Sequence, residues 1–235
     1  MSLVAVIAIA GLGAYVVLAP ATTTRTSSTT SSTSTSSSSS AASVTVAVVP
    51  PSPLVSPGET QNYSLVQVSV GGAGLSGTLN LEAFPPSGLS LTFNQTSVPL
   101  SGGTQSIPVV LKAAAGLSPG NYSVTLETSS SVAAATNQTL TVRVVPMLVI
   151  MQDFAFHPQN ITVTKGTQVT WLNLDSNVGC CDPGEHNVSF SSGANETSPL
   201  LSTFETWSYT FGSDGVYGYY CTIHLFMKAQ VTVTG

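Results

Sequence analysis

Residues 219–233 read YYCTIHLFMKAQVTV, and the fold turns on whether Cys221, His224 and Met227 sit on a helix or in a loop. A spacing of three would put them on one face of a helix. Gly215 and Gly218 precede the stretch, however, and residues 229–235, AQVTVTG, alternate apolar and polar side chains to the end of the chain. Such alternation signals a half-buried strand. The pattern therefore predicts a tight loop between two strands. A thiolate, an imidazole and a thioether on one loop are soft or borderline ligands, the set that favours copper. Three such ligands need a fourth from elsewhere.

Working upstream, residues 147–176 begin a strand series, with Lys165-Gly166 as a turn between ITV and QVTWLNL. HNVSF, ETWSYTF, GVYGYYC and AQVTVTG follow, enough for a β-sandwich in which the Cys221 loop joins the last two strands. The chain has three histidines, His157, His186 and His224. His186 begins the HNVSF strand, which in a sandwich can lie beside the end of the Cys221 strand. Two imidazoles and a thiolate, with a weak axial thioether from Met227, make the type 1 copper arrangement of electron-transfer sites. His157, before Pro158 at a strand edge, reads as a surface residue.

TVTKGTQVTWLNLDS (162–176), then His186-Asn187-Val188, then YYCTIHLFMKAQVTV resemble the cupredoxins, the blue-copper family that includes plastocyanin. The C-X2-H-X2-M loop is similar to those of the amicyanin and pseudoazurin branches. The resemblance covers about residues 148–235. It implies a Greek-key sandwich holding one copper ion at His186, Cys221, His224 and Met227. It also implies a one-electron carrier that meets redox proteins and has no small-molecule substrate of its own. In that family the Asn after the first His is buried and braces the Cys loop, a role that falls to Asn187. Leu225 and Phe226 would form an apolar docking rim around the His224 ring edge.

Two features stand apart from the pattern. SNVGCCDPG (176–184) looks like an insertion near the copper end and holds Cys180 and Cys181. A vicinal disulfide, which is strained because neighbouring α-carbons start too close, competes with reduced or intermolecularly paired thiols and with a redox role. Glu185, beside His186, could offer a carboxylate ligand and a more open site.

Residues 44–146 alternate in short bursts, from SVTVAVV through GTLNLEAF to NQTLTVRVV, separated by Pro, Gly and Ser clusters. About seven strands in a hundred residues is the count expected for an Ig-like sandwich, and the stretch resembles the Ig-like modules of prokaryotic surface proteins. It contains no His and no Cys.

Ahead of it, Thr22–Ser40 is Ser and Thr throughout except Arg25, with nothing to bury, so it reads as a tether. Leu3–Ala19 is an uncharged apolar run of 17 residues, near the lower limit for a membrane span. It predicts an apolar helix that is either a retained anchor or a cleaved signal. The expected architecture is thus all-β: two β-sandwich domains in series, Ig-like (44–146) then cupredoxin (147–235). An apolar segment (1–21) and a Ser/Thr-rich stalk (22–43) come before them.

Composition narrows the function classes. Only 6% of residues are charged, and five Lys and Arg face ten Asp and Glu. Without a basic patch, nucleic-acid binding has no electrostatic basis. Seven Asn-X-Ser/Thr sequons, at Asn62, Asn94, Asn121, Asn137, Asn160, Asn187 and Asn195, are compatible with an exported glycoprotein at a cell surface. Copper oxidases and nitrite reductases need further histidines for a catalytic copper, and only His157 is spare, so an enzyme is not expected. Copper storage, or a structural glycoprotein with a cupredoxin fold, remain the alternatives.

Overall fold

The computed structural model describes residues 15–18, 43–71, 75–132, 135–176 and 184–235. Every regular element among the described residues is a β-strand, so the chain is all-β. It divides into two compact units. The second holds Val144–Gly235 together with the short stretches Leu54–Gly58 and Ala115–Gly120, and the first takes the rest of the described chain.

The first ten strands are β1 (Tyr15–Leu18), β2 (Ser43–Val48), β3 (Leu54–Val55), β4 (Thr60–Gly71), β5 (Thr78–Phe84), β6 (Leu89–Phe93), β7 (Ser97–Pro99), β8 (Gly103–Ala113), β9 (Gly120–Ser130) and β10 (Thr136–Val144). One sheet runs β1-β2-β4-β8-β6, and in another β10, β9, β5 and β7 are neighbours in that order. Period-two patterning sets which face is buried. In β5, Leu79 and Leu81 are buried while Thr78, Asn80 and Glu82 face solvent.

The start of the chain corrects an expectation. Tyr15–Leu18, inside the run expected to be helical, is a strand antiparallel to β2, in register from Tyr15 with Ala47 to Leu18 with Val44. Tyr and two β-branched valines favour extended backbone, and the edge of β2 offers unpaired backbone groups for a partner to satisfy. The rest of the apolar run and the Ser/Thr tract lie outside the described residues. Among the described residues no helix is long and apolar enough to cross a membrane.

The second unit continues with β11 (Met147–Gln152), β12 (Ala155–His157), β13 (Asn160–Thr164), β14 (Gln168–Asn173), β15 (Ser189–Phe190), β16 (Thr206–Thr210), β17 (Gly215–Tyr220) and β18 (Lys228–Thr234). They form two four-stranded sheets, β12-β11-β14-β16 and β13-β18-β17-β15. The chain changes sheet between β12 and β13 and again at the turn into β14. This is why β11 pairs parallel to β14 and β13 parallel to β18. At that second turn the Thr167 N–H donates to the Thr164 carbonyl at 3.1 Å, and Gly166 supplies the positive φ of 88° that a bulkier residue resists. Both sheets contribute to one core: Val149, Met151, Val169 and Trp171 from the first, Val163, Tyr219, Val231 and Val233 from the second. Trp171 is wholly buried and its ring meets Tyr219 edge-on, centroids 5.4 Å apart. Cys221 and Met227 belong to the same core, at its end.

Candidate metal centre

Strand register delivers the two halves of the centre to each other. β15 and β17 are antiparallel, with Ser189 opposite Tyr220. Stepping backward from Ser189 therefore steps forward from Tyr220, and positions 186–188 come alongside 221–223. The HNVSF segment is a regular strand only at Ser189–Phe190. His186 instead exchanges backbone hydrogen bonds with Leu201, at 3.2 and 2.7 Å. Asn187 is buried, and its Oδ1 accepts from the Thr222 N–H at 2.8 Å and from Thr222 Oγ1 at 3.1 Å. On the other side, the β17–β18 ladder ends at Tyr220 opposite Lys228. The loop between them is tied internally, Met227 N–H to the His224 carbonyl at 2.8 Å and Cys221 N–H to the Met227 carbonyl at 3.1 Å.

Three donor atoms converge. Cys221 Sγ lies 3.8 Å from His186 Nδ1 and 3.8 Å from His224 Nδ1, and the two Nδ1 atoms are 3.1 Å apart. The point equidistant from all three, in their plane, is about 2.1 Å from each. That matches metal–imidazole bonds of about 2.0–2.1 Å and nearly matches metal–thiolate bonds of about 2.3 Å. Cys221 and His186 are wholly buried, and Met227, which closes the loop, is 2% exposed. Among the described residues this is the cluster of His, Cys, Asp and Glu able to hold a metal ion. Glu185 stands outside it, with the Ser202 hydroxyl donating to its carboxylate at 3.4 Å. Cys180 and Cys181 lie outside the described residues.

The electrostatics prepare the thiol for a cation. Burial opposes ionisation of Cys221, but hydrogen bonds from His186 and from the backbone N–H groups of Asn187, Ile223 and His224 outweigh it, bringing the thiol to about 6. Burial likewise opposes charge on His186, yet its bonds to Cys221 and Asp175, and their charges, hold its pKa above the ordinary value.

Sequence reasoning missed two neighbours. Phe154 packs edge-on against both imidazoles, its centroid 5.8 Å from that of His186 and 5.0 Å from that of His224. Asp175 Oδ2 lies 2.7 Å from His186 Nε2. Their sequence signals are weak: a Phe and an Asp at loop positions, with no fixed spacing to a ligand. Outside the cluster the loop is apolar and open, with Ile223 46%, Leu225 63% and Phe226 71% exposed. His157 is exposed, its Nε2 3.2 Å from the Gln152 carbonyl.

Residues 145–234 match the copper binding proteins of the plastocyanin/azurin family. This part of the chain is a cupredoxin domain, and its cofactor is one copper ion. Amicyanin-alpha of Methylorubrum extorquens is 34% identical over 82 residues, covering 33% of this chain and 63% of that protein. Amicyanin of Paracoccus denitrificans is 32% identical over 82 residues, covering 33% and 57%. The chain thus spans less than two thirds of the length of these curated relatives. Among solved structures, the Cu(I) form of an amicyanin variant is 29% identical, with 37% of this chain and 81% of that chain covered and a TM-score of 0.33. A purple cupredoxin from Nitrosopumilus maritimus is 28% identical, with 37% and 99% covered and a TM-score of 0.33.

Proposed function

We propose that the protein is an extracytoplasmic one-electron carrier in which His186, Cys221 and His224 would hold the copper, with Met227 as a further, weaker ligand. The observation that carries this reading is the triangle of Sγ and two Nδ1 atoms, whose centre suits a metal ion. Copper bound there supplies the Cu(II)/Cu(I) couple. The chain's own residues do the rest. Cys221 offers a thiolate and a covalent path into the β17 backbone. The two imidazoles would complete the donor set, and hydrogen bonds to Asp175 and within the loop hold the segments that carry them. Phe154, Leu225 and Phe226 keep bulk water from the His224 side, so electrons cross there when a partner's apolar face covers the loop.

The reading is of a carrier and includes no catalytic step. Residues 147–235 hold seven acidic and two basic side chains, so the encounter favours a basic redox protein, with a rate that falls as salt rises. Asn187 braces the loop, and Leu225 with Phe226 form the docking rim. The apolar character of residues 1–21 supports export from the cytoplasm. Cell fractionation tests the export, which fails if the mature chain stays in the cytoplasm.

Adding Cu(II) to the metal-free protein tests the centre. An intense thiolate-to-copper band that disappears on reduction is expected, and Cys221→Ser should abolish it. An unchanged band in Cys221→Ser overturns the assignment of the sulfur.

A further inference from the structure

One carboxylate reaches two further parts of the wall around the centre. Asp175 Oδ1 accepts from the Asp153 N–H at 2.7 Å, and Oδ2 accepts from the Phe154 N–H at 3.1 Å while lying 2.7 Å from His186 Nε2. Asp175 is itself fixed: its N–H donates to Asn173 Oδ1 at 2.9 Å, and its carbonyl accepts from Thr203 Oγ1 at 2.6 Å. Asn173 is wholly buried and donates in turn to the carbonyls of Gly184 and Leu201. The carboxylate therefore sits on a frame shared with the backbone that carries His186.

The two amides it binds are unusual. Asp153 and Phe154 have φ of 53° and 56°, a left-handed backbone that non-glycine residues rarely adopt. Aspartate visits that region with some ease, but an aromatic residue does not. Successive N–H groups in such a turn point to a common spot and make a small anion-binding concavity. Here the anion is the Asp175 side chain. The strained turn is what aims the Phe154 ring at His186 and His224, at interplanar angles of 86° and 81°.

We propose that Asp175 is a positioning residue that sets two properties of the copper site through one side chain. It fixes the proton of His186 on Nε2, leaving Nδ1 to face Cys221 and His224, and it holds the left-handed turn that sets Phe154 edge-on to both rings. The first half rests on His186 being a copper ligand; the second does not. A carboxylate behind a metal-bound imidazole makes that ligand more basic and favours the more highly charged, oxidised ion. Truncating the carboxylate leaves two amides without their acceptor, and the turn then relaxes and carries the ring away.

The experiment uses the full chain in two forms. In the unmodified metal-free protein, hydrogen exchange at the Asp153 and Phe154 amides is expected to be slowed about tenfold or more, the equivalent of one net hydrogen bond. Exchange at the unprotected rate overturns the assignment of the turn and leaves the copper reading intact. In copper-loaded Asp175→Asn, the ratio of Cu(II) to Cu(I) affinity is expected to fall by about tenfold, the low end of outer-shell effects. For a one-electron couple that is a rise of about 59 mV in potential. A folded Asp175→Asn protein with a lower melting temperature and an affinity ratio within about twofold of the parent shows a merely structural residue, and overturns the proposal. A parent chain with no thiolate–copper band overturns the copper reading and, with it, the first half alone.

Discussion

Replacing Asn187 with alanine removes one acceptor that serves two donors. The Thr222 N–H and Thr222 Oγ1 approach Asn187 Oδ1 at 2.8 and 3.1 Å, and the asparagine is 4% exposed. A net hydrogen bond contributes about 0.5–1.5 kcal/mol, and a backbone donor left unpaired near a buried surface adds to the loss. Two bonds at mid-range, with a small void from the missing amide, give about 2–3 kcal/mol. For a unit of this size that is a fall in melting temperature of roughly 10–20 °C. Thr222→Val removes only the hydroxyl half, and the threonine is exposed, so about 1 kcal/mol or less is expected.

The measurement is urea unfolding of the metal-free full chain, followed by tryptophan fluorescence. Both tryptophans of the protein, Trp171 and Trp207, lie in the second unit, so the first unit is silent in this signal. The backbone N–H of Asn187, which helps lower the Cys221 pKa, is untouched by the substitution. The thiolate should therefore survive while the loop loosens, and copper should still bind, with a faster loss of the ion. An Asn187→Ala midpoint equivalent to a change under about 0.5 kcal/mol, the range of an ordinary surface substitution, would show that Thr222 finds another acceptor and that no brace exists.

In the metal-free protein the Cys221 thiolate, followed by its ultraviolet absorbance, should titrate with a midpoint of about 6; a midpoint at the ordinary thiol value would refute the hydrogen-bond account. Because its folded pKa lies below the unfolded one, Cys221 stabilises the fold fully above the ordinary thiol value, and that contribution is lost as pH falls toward 6. The raised pKa of His186 acts in the opposite sense, stabilising below its ordinary value and losing that contribution as pH rises through the raised one. Met227→Gln should retain the thiolate-to-copper band and lower the potential, measured by voltammetry, because an amide oxygen favours the oxidised ion more than a thioether does; an unchanged potential makes Met227 core filler alone. Gly193→Ala should unfold the second unit at a urea midpoint lower by the equivalent of about 2 kcal/mol or more. Gly193 has φ of 83°, and an added Cβ would meet Tyr217 Cδ1 at 2.7 Å and the Val216 carbonyl at 2.9 Å. An unshifted midpoint would mean that the Tyr217 ring moves freely aside.

The parts of the centre that can be read from the chain are those carried by a single stretch. Cys221, His224 and Met227 share one loop bounded by alternating strands, and His186 is the histidine that opens a strand. Asp175 and Phe154 could not be read that way. The partners of Asp175 lie at positions 153, 154 and 186, on segments that only the folded sheet assembles, and residues 176–184 obscure its spacing to His186. Nothing in a phenylalanine announces a left-handed backbone. The N-terminal helix failed for a related reason: an unbroken apolar run carries no period, and the partner that makes Tyr15–Leu18 a strand is Ser43–Val48, far along the chain. HNVSF read as one strand because its alternation continues through Asn187, whereas His186 and Asn187 turn away from the ladder to bond Leu201 and Thr222.

Hydrogen bonds around the site account for the placing of the donor triangle. A flexible loop carrying a thiolate and an imidazole would spread them into water, since both are polar and neither gains from burial alone. Here each donor is pinned by a bond outside the triangle: Cys221 through its N–H and His224 through its carbonyl to Met227 within the loop, and His186 through Nε2 to Asp175 on another segment. Much of the entropy of ordering the site is therefore met when the sandwich folds, and little remains when the ion binds or changes charge. With copper bound, donors held in this way would rearrange little between Cu(II) and Cu(I), a property the proposed carrier role needs. It follows from the hydrogen bonds of residues 175, 187 and 227 as much as from the ligands themselves.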